Sequence, residues 1–153
     1  MYNLINLYKD IKTLDKFAAL TELSKPKPCK IEIGGLCGSA GSFALAKLFA
    51  NSNANILVIA PNPLIAEQVL NDLTSLIGQH SISFLPPVQA QRSNAAIHAI
   101  GPQNERIDTI LRLNSGEPTI VVSLPECMME PFPSQKWVDS NTIVLLAGKE
   151  TPR

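Results

Sequence analysis

The chain has 153 residues, 45% hydrophobic and 17% charged, which suits one domain with an ordinary core and excludes a disordered tail. Thirteen basic side chains balance thirteen acidic ones, so the composition argues against a dedicated nucleic-acid module, whose phosphate binding needs an excess of Lys and Arg. No apolar run approaches the roughly 18 residues of a membrane span, and three cysteines without a CxxC pair point to a reducing, cytoplasmic compartment with buried thiols.

From the start of the chain, Leu4, Ile5, Leu7, Tyr8, Ile11, Leu14, Phe17 and Leu20 recur at three- and four-residue spacings. This predicts an amphipathic helix with Lys9, Asp10, Lys12, Asp15 and Lys16 on its polar face. Pro26 and Pro28 break it into an extended connector, so residues 1–28 read as helix and linker and residues 29–153 as the domain proper. Lys30-Ile31-Glu32-Ile33 reads as a short strand. It leads into a glycine-rich turn, Gly34 to Ser42, and then a helix over Phe43–Ala50. Asn55–Ala60 is an apolar run of the buried, parallel-strand kind.

Asn62 and Pro63 supply the cap and first residue of the next helix, which carries Ala66, Val69, Leu70, Leu73 and Leu76 and stops at Gly78. Ile82–Leu85 is a third strand. Residues 86–101 form a long loop with one helical turn near Ala95–Ile100, and loops of this length in compact domains are commonly functional. A helix over Gln103–Leu113 is expected to turn Ile107, Ile110 and Leu111 inward, and Ser115-Gly116 ends it. Thr119–Ser123 is a fourth strand, Pro125–Met129 one helical turn, and residues 142–146 a last strand. Alternation of this kind gives an α/β fold, a parallel sheet with helices on both faces.

The glycine turn carries the one motif with chemistry. A strand, a glycine-rich turn and a helix can cradle phosphate on free backbone N–H groups. A dinucleotide fingerprint fits poorly: the glycines run Gly35-x-x-Gly38-x-x-Gly41, and no acid follows the second strand to hold a ribose. The frame G-x-x-x-x-G-K-[ST] fits Gly35 to Ser42 in length. Ala40 replaces its second glycine and Gly41 its lysine, the cation for the β and γ phosphates. Lys47 lies more than a turn away. No acid ends a core strand to hold magnesium, since Glu126 follows Pro125 and reads as a solvated loop residue. His80 and His98 sit in no ligand motif. Cys37 lies before a helix but without an identifiable base, and Ser39 and Ser42 read as helix caps. The loop residues Gly35, Gly38, Ser39, Ala40, Gly41 and Ser42 thus read as a degenerate phosphate loop in a P-loop-NTPase-like fold. No catalytic, cofactor-binding or metal-binding residue is expected.

The order of the pieces adds a resemblance. Ile33 to Ala40, Ile56 to Asn62, Ala66 to Leu73, Phe84-Leu85-Pro86, Glu105 to Leu111 and Ile120 to Ser123 together resemble the N-terminal region of the bacterial transcription-repair coupling factors (Mfd). That region is itself similar to the first domain of the excision-repair protein UvrB. The resemblance covers roughly residues 30–150. It implies a non-catalytic scaffold in transcription-coupled nucleotide excision repair, one domain of a longer protein. Such a domain would support an adjacent UvrA-binding module and pack against other domains of the parent. The family loop is degenerate where the UvrB loop binds ATP, and Ala40 and Gly41 match that degeneration. ATP, magnesium, DNA translocation and RNA polymerase contact belong to other parts of the parent. Pro87 to Arg92 departs from the acidic, aromatic stretch usual in the family. A nucleotide-binding enzyme using backbone amides and Ser42 without the lysine remains the alternative.

Overall fold

The structure, a computed structural model, describes residues 30–52, 54–88, 100–143 and 148. The amphipathic helix and connector expected over 1–28, the helical turn near 95–99, and His98 and Cys29 lie outside the described residues.

Helix α1 spans Ala40–Ser52, strand β1 Ile56–Ile59 and helix α2 Pro63–Ile77. A 3-10 turn, Gln79–Ser81, leads into β2, Ile82–Leu85. Helix α3 covers Ile100–Asn114, β3 Ile120–Ser123, a second 3-10 turn Pro125–Met129, and helix α4 Gln135–Asn141. The three strands form a parallel sheet in the order β1-β3-β2. Ile120 lies opposite both Ile56 and Ile82, and Ser123 opposite both Ile59 and Leu85.

Parallel strands need long crossovers, and α2 and α3 supply them. From β1 the chain moves two places across the sheet, and from β2 it steps one place back. Helix α2 packs against β2 and β3, and α3 packs along β2. The central strand β3 is buried on both sides: Ile120 and Val122 on one and Val121 and Ser123 on the other are all at most 3% exposed. The core gathers Ala46 of α1, Ala66 and Leu73 of α2, the residues of β3, and Cys127. The α/β class with a parallel sheet is as the alternation predicts.

Local chemistry explains the element ends. The Asn62 side chain accepts from the Ile65 amide at 3.0 Å, and Pro63 follows at the first helical position. Gly78 stops α2 with φ of 84°, a backbone angle that favours glycine. Ser134 caps α4 by accepting from the Trp137 amide.

Two expectations are corrected, those for residues 30–33 and for the inward face of α3. Residues 30–33 form no strand; Lys30, Glu32 and Ile33 are exposed and pair with nothing in the sheet. A four-residue run alternating charged and apolar side chains buries too little to hold a strand without a partner. Thr142 and Ile143, the start of the predicted last strand, lie outside regular structure, and residues 144–146 are outside the described residues. Ile107 and Leu111 of α3 face outward at 54% and 37% exposure, while Arg106 and Thr109 face in. Helix α4 was not expected, because its seven residues carry too weak an apolar period.

Candidate functional site at the glycine loop

Residues 32–38 are exposed along their whole length, and regular structure begins at Ala40. Gly35 and Gly38 adopt φ of 76° and 54°. They turn the chain so that the Ala40 amide bonds the Cys37 carbonyl at 3.2 Å and the Phe43 amide the Ser39 carbonyl at 3.1 Å. Space around Gly35, Gly38 and Gly41 is open, with nothing within 4 Å of where a Cβ would stand.

The side chains at the end of the motif turn away from this loop. Ser42 is 4% exposed, and its hydroxyl donates to the Asp72 carboxylate of α2 at 3.0 Å. The hydroxyl aligned with the metal-binding position of a phosphate loop is therefore part of the α1–α2 packing. Lys47, the nearest lysine on α1, is 7% exposed and partnered within the fold. No Lys or Arg occurs between Lys30 and Lys47. Ser39 and Ala40 are half-buried at the helix start, and Cys37 is exposed.

The other sequence candidates are scattered. Glu126 is exposed on the 3-10 turn after β3, and His80 is exposed on the turn before β2. Cys127 is fully buried and directs its thiol to the Leu85 carbonyl at 3.2 Å. Ser123 donates to the same carbonyl at 3.1 Å. These bonds tie the carboxyl end of β2 to β3 and to the 3-10 turn after it. Of the described cysteines, Cys127 is buried and Cys37 exposed, so burial of two thiols would require Cys29. Among the described residues, no group of three His, Cys, Asp or Glu could hold a metal ion, and no helix is long and apolar enough to cross a membrane.

A polar cluster that the sequence did not reveal lies on α3. One nitrogen of Arg106 donates to the Pro86 carbonyl and to the Glu130 carboxylate, each at 2.9 Å. The other Glu130 oxygen accepts from the Val88 amide at 2.6 Å, and Phe132 stacks under the guanidinium at 4.7 Å. Thr109 reaches the Phe84 carbonyl at 2.9 Å, and Arg112 the Ile82 and His80 carbonyls. Arg106, Thr109 and Arg112 thus meet the carbonyls of Pro86, Phe84 and Ile82 along the outer edge of β2. The signal was a polar stripe at three-residue spacing, which a solvent-facing helix shows equally. A groove between α2 and α3 beside this edge is lined by Leu70, Thr74, Phe84, Glu105, Asp108 and Arg112 among others, and no residue of the glycine loop lines it.

No family model and no solved structure matches the chain. Over 118 residues, 77% of its length, it is 31% identical to the transcription-repair-coupling factor of Bacillus subtilis (strain 168). The match spans 10% of that relative's length. By this similarity the chain is an Mfd-like domain, related to a segment of the transcription-repair-coupling factors.

Proposed function

We propose that the domain is a non-catalytic scaffold of a transcription-repair coupling factor. The observation that carries this reading is the Ser42–Asp72 hydrogen bond between α1 and α2, beside a glycine turn that has no lysine. Tight triphosphate binding needs a cation on the β and γ phosphates and a hydroxyl on magnesium. Gly41 stands at the first position, and the hydroxyl at the second serves helix packing. The residues at hand do not fit a magnesium–triphosphate group, and no chemical step is assigned to them. The domain instead presents a body on which an adjacent UvrA-binding module and other parts of the parent pack. The parent is read as an ATP-dependent DNA translocase acting with UvrA and RNA polymerase in the cytoplasm, with nucleotide, magnesium and DNA handled elsewhere in it.

Calorimetric titration of magnesium–ATP into the chain tests the scaffold reading. We expect no saturable heat at micromolar nucleotide. Micromolar binding that weakens in Ser42→Ala would overturn the reading in favour of a lysine-less nucleotide site.

A further inference from the structure

We propose that residues 128–134 are a strap that opens as a unit from an otherwise intact fold, and that the Arg106–Glu130 pair is its latch. The segment joins two fixed points. At one end Cys127 is fully buried and directs its thiol to the Leu85 carbonyl. At the other, α4 begins at Gln135 and buries Val138. Between them every residue is exposed except Glu130, which is half-buried.

Little apolar area holds such a segment down. Met128, Met129 and Phe132 are 41%, 88% and 46% exposed. Pro131 and Pro133 have no N–H to bond the body, and their rings fix φ, so the middle of the strap is stiff. Among the described residues, its hydrogen bonds to the rest of the fold run through one carboxylate. Glu130 accepts from Arg106 at 2.9 Å and from the Val88 amide at 2.6 Å. The Phe132 ring lies against the same guanidinium at 4.7 Å.

Arg106 is held separately. It is 9% exposed, and the nitrogen that meets Glu130 also donates to the Pro86 carbonyl at 2.9 Å. The guanidinium therefore keeps a partner on the body when the strap leaves. A latch needs this asymmetry, with one partner fixed and the other on the segment that moves. Segments with few buried apolar contacts open at a lower free energy than the core. β3 is the contrast, buried on both sides and paired with β1 and β2. Opening uncovers Arg106, the Val88 N–H and the Phe132 ring together.

Native-state hydrogen exchange of the full chain in low urea tests the latch. The Val88 amide bonds Glu130, and the Glu130 amide bonds the Cys127 carbonyl at 3.3 Å. Relative to their intrinsic rates, we expect both amides to exchange through one shared opening, about 100-fold faster than Val122 and nearly independent of urea. Val122 should follow global unfolding. Glu130→Gln keeps the shape and removes the charge, and should speed exchange at Val88 about 10-fold relative to Val122. Equal rates and urea slopes at Val88 and Val122 overturn the proposal, because the strap then leaves only with the whole fold. So does an unprotected Val88 amide in the unmodified chain, a different opening free energy at Glu130, or a Val88 rate that Glu130→Gln does not change. If that variant does not fold, the urea dependence in the unmodified chain still decides.

Discussion

Ser42 has one hydroxyl proton, and Asp72 takes it. Replacing Ser42 with Ala removes a charge-assisted bond and leaves a half-buried carboxylate with one partner fewer. We expect a loss of about 1–2 kcal/mol in urea unfolding, with nucleotide binding unchanged. A change in nucleotide affinity without a change in stability would point to a ligand role instead. Arg106 is a stricter case, because it and Glu130 are 11% and 13% exposed at the side chain. Removing one member of such a pair strands the other charge, a loss of about 3 kcal/mol for Arg106→Ala. Phe132 under the guanidinium adds a smaller share. The double variant Arg106→Met with Glu130→Gln should recover part of the loss, since it leaves no unpaired charge. A double-mutant cycle in urea reads this directly, and strict additivity would show that the two side chains are not coupled.

At the scale of an element, α2 and α3 show opposite relations between pattern and packing. α2 behaves as its sequence reads. Asn62 caps it, Pro63 opens it, Leu73 is fully buried and Gly78 ends it. Asn62→Ala should therefore cost about 1 kcal/mol, the usual worth of such a cap, and Asn62→Ser should restore most of it. α3 runs against its pattern. Its apolar Ile107 is exposed while Arg106 and Thr109 are buried, because the carbonyls at the edge of β2 need donors and isoleucine has none. The Thr109 hydroxyl lies near two acceptors, Phe84 O at 2.9 Å and its own helix's Glu105 O at 2.8 Å, and its single proton serves one at a time. Thr109→Val keeps the shape and removes the donor. We expect a cost of about 1–2 kcal/mol, measured by the urea midpoint, from the Phe84 carbonyl left without it. A neutral outcome would mean that water or Arg112 takes over that acceptor.

Across the whole molecule, one aliphatic core joins α1, α2 and the sheet, with Leu73, Ile120 and Val122 fully buried at its centre. Leu73→Ala should cost about 2–5 kcal/mol, depending on how far the site collapses, and a domain of this size has few such losses to spare. Thermal unfolding followed by circular dichroism would read it as a lowered midpoint with one transition retained.

The sequence by itself determined the α/β class, the three described strands, the cap and stop of α2, and the absence of a lysine from the glycine turn. Each of these rests on local chemistry: apolar runs of strand length, the Asn62-Pro63 helix start, a glycine after the last helical turn, and the residue types of one turn. The resemblance to the coupling factors was likewise legible, because it depends on the order of segments along the chain. Only the tertiary structure decided that Ser42 serves Asp72, that the polar stripe of α3 faces inward, and that Lys30–Ile33 stands outside the sheet. Those outcomes join residues tens of positions apart, and a sequence pattern states which side chains can bond but not which ones the sheet brings within reach.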